Sequence, residues 1–238
     1  MKISTSTISS VVVRLSLVAV SGMTLSFGQT AMANLITWQT PVAVDINNAT
    51  QVDTTGTLIF AVSDQAAYSV NGVNFSPALF NALVSNLSGG VSDGAFGPYT
   101  TDYAKLLSSG AYRSSDGTAN IAIPSLTIGN QYEVQIFTPF WDANYQSKFS
   151  DGANSANMGN TSTAPTYVIG TFTADATTKN ISFDAASGSP YGLLSAFQVR
   201  AIPEPGSFGL LMMGTLGVVA VVRRHRRNST MKSTCSEA

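Results

Sequence analysis

The chain has 238 residues, with 12 Lys and Arg, 13 Asp and Glu, 20 Gly, 9 Pro, one His and one Cys. That is room for one domain with appendages. At 11% charged residues, against roughly 25% in an average soluble chain, the surface is polar through Ser, Thr, Asn and Gly rather than ionic, which speaks against nucleic-acid binding and against a cytosolic helical protein.

The N-terminus carries Lys2 and Arg14, an apolar stretch over residues 15–27 and then Ala31-Met32-Ala33. A positive start, a short apolar run and a small-residue cleavage site describe a secretory signal peptide over residues 1–33, handled by export machinery and signal peptidase. The run is interrupted by Ser16, Ser21, Thr24 and Ser26 and falls short of the ~20 residues a permanent span needs.

Residues 34–202 are then the exported domain. Its segments read as strands separated by Gly, Asn, Asp and Ser clusters. Residues 57–62 set Leu58, Phe60 and Val62 on one face, and residues 119–123 alternate likewise. Residues 131–137 turn Tyr132, Val134 and Ile136 inward and Glu133 and Gln135 outward. Residues 167–173, 179–184 (Ile181 and Phe183 inward) and 193–200 (Phe197 and Val199 inward) complete the set. Residues 77–85 and 101–108 break the alternation and read as short helices, the second capped by Thr101 or Asp102. Period-2 alternation with one wet face predicts antiparallel sheet. Eight to ten such strands predict an all-β, two-sheet sandwich of jelly-roll type with one or two short helices.

Beyond it stand Pro203-Glu204-Pro205, a charge-free run over residues 206–222, and the basic cluster Arg223, Arg224, His225, Arg226 and Arg227, followed by a tail over 228–238. Seventeen residues at ~1.5 Å each cover a thin bilayer, so residues 206–222 are predicted to be a transmembrane helix. The basic cluster and the tail stay cytoplasmic, with the domain outside. Pro-Glu-Pro, apolar span and Arg cluster, in that order over residues 203–227, resemble the PEP-CTERM sorting signal of Gram-negative, exopolysaccharide-producing bacteria. The resemblance implies processing by an exosortase-like membrane transpeptidase near Pro203, Glu204 and Pro205, and delivery to the cell surface or extracellular matrix. The tail after Arg227 departs from that pattern and leaves retention as a single-span anchor open. A second resemblance rests on Leu126-Thr-Ile-Gly-Asn-Gln-Tyr132-Glu-Val-Gln-Ile136 and on residues 196–200, which are similar to strands of galactose-binding-like and malectin-like domains.

His225 and Cys235 both fall on the cytoplasmic side, so the exported domain contains neither residue. No Ser-His-Asp or Cys-His arrangement, His-ligated zinc or disulfide can be built there. Five basic residues stand against ten Asp and Glu133, a net of −6, which repels an anionic polymer. The chemistry left is carboxylate chemistry and stacking. Trp141, Asp142, Asn144 and Tyr145 combine flat rings with hydrogen-bonding groups at the exit of the 131–137 strand, the combination that sugar recognition needs. Asp142, Asn144, Asp151 and Asn154 are the alternative reading, a Ca²⁺ site; otherwise no cofactor is expected. The function expected is a non-catalytic surface or matrix protein with exopolysaccharide as the candidate partner. The rival is a glycoside hydrolase or lyase using paired carboxylates, with Glu133 as the domain's single Glu. Deleting Pro203 onward is expected to release a soluble, folded domain; a truncated chain that aggregates or loses its sheet signal in circular dichroism would show that the tail belongs to the core.

Overall fold

A computed structural model describes residues 35–91, 99–140, 144–159 and 164–203. In chain order the strands are β1 (Thr37–Trp38), β2 (Val42–Ala43), β3 (Thr57–Ser63), β4 (Tyr68–Val70), β5 (Val73–Phe75), β6 (Val84–Ser85), β7 (Gly89–Val91) and β8 (Gly110–Ser114). They continue with β9 (Ala119–Ile123), β10 (Gln131–Phe137), β11 (Gln146–Ser150), β12 (Ser155–Gly159), β13 (Thr166–Thr173), β14 (Lys179–Ala185), β15 (Tyr191–Leu194) and β16 (Ala196–Ile202). Among the described residues the helices are α1 (Phe80–Leu83), α2 (Asp102–Leu106) and two 3-10 turns. The fold is predominantly β and antiparallel.

A six-stranded sheet runs β1-β13-β10-β16-β3, with β2 also on β13, and a five-stranded sheet runs β12-β11-β14-β9-β6. Alternation decides how they meet. Tyr132, Val134 and Ile136 of β10 and Phe197 and Val199 of β16 share one buried cluster with Ile121 of β9, Phe149 of β11, and Ile181 and Phe183 of β14. The two sheets are therefore the layers of a β-sandwich. Phe149 and Phe183 stack at 5.6 Å, and Phe60 meets Phe197 edge-on at 6.0 Å. Each fully buried ring of this kind stabilises by roughly 1.5–3 kcal/mol.

The outer face of the six-stranded sheet is covered as well. Phe137 and Ala196 on that face pack with Val52, Phe75, Tyr103, Leu106 and Leu107 in a second core. This layer contains a hairpin absent from the sequence reading, β4-β5, turned at Asn71-Gly72 with both residues at positive φ, the pairing an Asn-Gly dipeptide favours. Helix α2 forms where expected: Thr101 is the cap, its Oγ1 accepting from Ala104 N at 3.2 Å. The 77–85 helix is shorter than expected, a 3-10 turn at Pro77–Leu79 and one turn of α1, and Val84–Ser85 already pair with β9.

Two expectations need correction. Residues 193–200 are not one strand: they split at Ser195, where β15 belongs to a three-stranded sheet with β8 and β7 while β16 crosses into the sandwich. Ser195 is completely buried at the crossing, its N–H donating to Phe137 O at 2.9 Å and its hydroxyl to Leu106 O. Leu58 does not share a face with Phe60. Val199 pairs with Phe60 but Arg200 pairs with Leu58, so Ile59 is an extra residue in the ladder. The bulge turns Leu58 to the outer face with Arg200, since one residue of slip reverses every side chain beyond it.

Strand β1 is seated on Gly170. A Cβ there would lie 2.5 Å from Ile36 Cγ2 and 2.7 Å from the Trp38 ring, and Trp38, half-buried against the main core, pairs directly with Gly170. Gly170→Ala is expected to lift residues 36–38 off β13 at ~1–3 kcal/mol. The check is the melting temperature with tryptophan emission, which should move to the red; unchanged emission and stability would contradict the packing.

Candidate functional site

The small sheet β15-β8-β7 carries two half-buried tyrosines, Tyr112 and Tyr191, and Tyr145, just before β11, joins them to make a row of three. Leu193 pairs with Tyr112, and Tyr191 pairs with Ser114, so Tyr112, Ser114 and Tyr191 share one face, while Ala111 and Leu194 reach the sandwich core. The Tyr191 ring lies 5.2 Å from Tyr112 at 72° and 5.5 Å from Tyr145 at 56°. Tyr112 lies flat over β7 because its partner there is Gly89; a Cβ at Gly89 would stand 2.7–2.8 Å from the Tyr112 ring and hydroxyl.

Polar groups flank the row. Ser88 Oγ and Ser114 Oγ are 2.9 Å apart, and Ser114 Oγ also donates to Asp116 Oδ1. That hydrogen bond holds the fully exposed Asp116 carboxyl below its ordinary range. Arg113 Nη1 donates to Asn86 O at 3.1 Å, and its Nη2 lies 3.6 Å from Asp116. Aromatic faces beside hydroxyl, carboxylate and guanidinium groups can stack on a sugar ring and fix its hydroxyls.

Of the residues singled out by sequence, Tyr145 lies in this row, and Asn144 precedes it on the exposed surface. Trp141 and Asp142 lie outside the described residues. Tyr112 and Tyr191 were missed; Tyr191 follows Pro190 directly and Tyr112 follows Gly110 by two positions, both in Ser-rich segments, a signal for a strand start but not for a shared face. Asp151 and Asn154 do not join the row. They close the β11–β12 turn at the far end of β11, and five strand residues put on the order of 15 Å between them and Asn144. Asp151 Oδ1 accepts from Ala153 N and Asn154 N, its Oδ2 from Ile36 N, and Lys179 Nζ lies 4.0 Å away. Burial works to raise the Asp151 carboxyl, but these donors and Lys179 outweigh it and hold it below the ordinary carboxylate range. With Asn154 Nδ2 donating to Ile36 O at 3.1 Å, the pair fastens the start of the domain. Asn144 and the Asp151–Asn154 pair thus stand at opposite ends of a strand, Asp142 lies outside the described residues, and among the described residues no three acidic, His or Cys side chains converge to hold a metal.

The paired acids are elsewhere. Glu133 of β10 and Asp53, 80 positions earlier, hydrogen-bond to one another on the outer face of the six-stranded sheet. The segment bearing Asp53 is strapped there by side chains of β10 and β16. Gln135 Nε2 donates to Gln51 O at 2.7 Å, and Gln198 Nε2 to Asp53 O at 2.9 Å and to Gln135 Oε1 at 2.7 Å. Arg200 donates to the carbonyls of Thr54, Thr55 and Gly56. Burial, then the hydrogen bond and charge of Asp53, push Glu133 up to about 8 against the pull of Arg200. For Asp53, burial acts upward, but hydrogen bonds from Glu133, Thr55 and Thr54 prevail and hold it low. Glycoside hydrolysis needs carboxyls ~5 Å or more apart with sugar between them; here they touch under their own backbone.

Residues 201–227 match the PEP-CTERM protein-sorting motif. The chain carries a PEP-CTERM sorting signal. The motif implies export, exosortase-type processing and C-terminal anchoring before that processing. Its apolar run, residues 206–222, lies outside the described residues, among which no helix is long and apolar enough to cross a membrane. No curated protein sequence matches the chain. Among solved structures it is similar to the ANXUR1 extracellular domain of Arabidopsis thaliana (10% identity, 61% of this chain and 42% of that one, TM-score 0.46). The ANX2 ectodomain of the same plant aligns at 9% identity over 61% of this chain and 42% of that one, TM-score 0.46. The CBM22-1 xylan-binding domain of Paenibacillus barcinonensis Xyn10C aligns at 10% identity over 63% of this chain and 98% of that one, TM-score 0.39. The chain thus spans about two fifths of the length of the plant ectodomains it matches.

The acid pair makes stability depend on pH in a defined direction. Glu133 binds its proton up to about 8 when folded, against an ordinary 4.5, so its contribution is complete below the unfolded value and is lost as pH rises toward the folded one. Asp53 acts oppositely, losing its contribution only as pH falls below the ordinary carboxylate range. Urea unfolding is expected to show stability declining from pH 4.5 to 8 by on the order of 1 kcal/mol, discounted for partial exposure, and Glu133→Gln to flatten that decline. An unchanged slope in Glu133→Gln would remove the pair from the account.

Proposed function

We propose that this PEP-CTERM protein is a non-catalytic component of the cell surface or extracellular matrix. Its jelly-roll-type sandwich binds glycan, the producer's own exopolysaccharide being the candidate, along Tyr112, Tyr191 and Tyr145. The observation that carries this reading is the row of three partly exposed rings flanked by Ser88, Ser114 and Asp116. Trp141, Asp142 and Asn144 adjoin Tyr145 in sequence and are proposed, on that ground alone, to extend the row. Residues 206–222 are proposed to span the membrane until an exosortase-like enzyme acts. The net charge of −6 favours a neutral polymer over an anionic one. The catalytic alternative has less support, because the acids that do pair are hydrogen-bonded to each other.

A glycan array with the exported domain, residues 34–202, identifies the ligand, and one substitution then tests the site. Tyr191→Ala removes the central ring and should weaken binding at least tenfold, ~1.4 kcal/mol. Its two ring pairs are worth ~0.5–1.5 kcal/mol each in stability, well under the ~3–5 kcal/mol of a core ring such as Phe197. Full retention of affinity in Tyr191→Ala would overturn the assignment.

A further inference from the structure

Strand β16 ends at Ile202, and the residues at that end of the six-stranded sheet differ from the rest of the surface. Ala201 pairs with Thr57 of β3, and Ile202 with Gln131 of β10, which in turn pairs with Thr173 of β13. The 127–130 turn, the start of β3 and the 174–178 turn therefore sit together where the chain leaves the sandwich. Six large apolar residues are exposed among the described residues; Ile128 is the most exposed at 61%, and Leu58 and Ile59 of β3, at 37% and 36%, belong to the same end, while Leu79, Val42 and Leu35 make up the remainder. Singly exposed apolar residues are ordinary; their gathering around the chain exit is what distinguishes this end. Residues 54–59, 127–131 and 173–178 include one charged side chain, Asp175, in a domain of net −6. The turn that presents Ile128 is tied down, Gly129 N donating to Ala174 O at 2.7 Å and Ala174 N to Asn130 O at 2.9 Å.

Chain length supplies the partner. Four steps separate Ile202 from Gly206, where the apolar run begins, and fully extended they reach roughly 14 Å. The headgroup layer on one side of a bilayer is itself on the order of 6 Å thick. While the run spans the membrane, this end of the sandwich cannot leave the lipid surface by more than about one further turn of chain. We propose that the end bearing Ile128, Leu58 and Ile59 is a membrane-contact surface that rests in the lipid headgroups while the PEP-CTERM segment is anchored. Uncharged polar loops suit the headgroup layer, and the apolar side chains gain by partial burial there. The tyrosine row is left clear: β14 runs from the 174–178 turn to Ala185, which pairs with Ser147 just beyond Tyr145, so Tyr145 and Tyr191 lie at the opposite end. The inference rests on the anchoring half of the proposed function and is independent of the glycan half.

The test uses the full chain in a Cys235→Ser background, reconstituted into vesicles of phosphatidylethanolamine and phosphatidylglycerol. A polarity-sensitive fluorophore is placed by Ile128→Cys or Leu58→Cys at the exit end, and by Ala67→Cys, exposed past the far end of β3. The labels at 128 and 58 should shift to the blue in vesicles and be quenched severalfold more by a headgroup-borne quencher than the label at 67. A chain that fails to float with the vesicles overturns anchor and contact together. Flotation with all three labels equally water-exposed overturns the contact alone, as does equal quenching at all three.

Discussion

Strand β10 is covered on both faces, and that constraint organises the domain. On one face Tyr132, Val134 and Ile136 enter the sandwich core; on the other Gln135 and Phe137 are as fully buried. Apolar Phe137 is satisfied by packing, but Gln135, Gln198 of the neighbouring strand and Arg200 bring amide and guanidinium groups under cover. Buried polar groups are costly unless each finds a partner. The partners here are backbone carbonyls of residues 51–56, so the strap is held by the same requirement that would otherwise penalise the sheet. Glu133 completes the arrangement by keeping a proton for Asp53, and the acids read most naturally as part of this fastening.

The features proposed for binding lie away from that centre. Two of the three tyrosines sit on the three-stranded sheet, whose strand β15 ends where the chain changes layers at Ser195. The same crossing that sends Phe197 into the core leaves Tyr191 on a separate strip next to Tyr112, fastened to β11 through Ser147 and Leu193. A rigid scaffold with ligand groups on its periphery is the usual division of labour in β-domains. With the chain exit at one end of the sheets and the tyrosines at the other, an anchored molecule would hold its aromatic row outward from the lipid surface.

The sorting signal needed no structure to be seen. Pro203-Glu204-Pro205, the apolar run and the Arg cluster act as a linear message, read by composition and order. The strands of the core were legible for a similar reason: where Tyr132, Val134, Ile136, Ile181 and Phe183 alternate with polar neighbours, the period of the pattern is the period of the strand. Helix α2 was legible from its capping Thr101.

Tertiary structure alone decided the rest, because it depended on contacts between residues distant in sequence. Leu58 looked like a core residue until the bulge at Ile59 reversed its side chain, and nothing local to 57–63 announces that bulge. Residues 193–200 looked like one strand because both faces are buried on both sides of Ser195, which hides the change of sheet. Asp53 and Glu133 became a pair across 80 residues, and Tyr112, Tyr145 and Tyr191 a row across 79. By itself the sequence determined the sorting signal, the all-β character and the absence of His and Cys from residues 34–202, since each follows from residue type and spacing along the chain. Which acids meet, which rings line up and by which end of the sheets the chain leaves were decided only by strand register and layer crossing, because those place side chains side by side that the chain holds far apart.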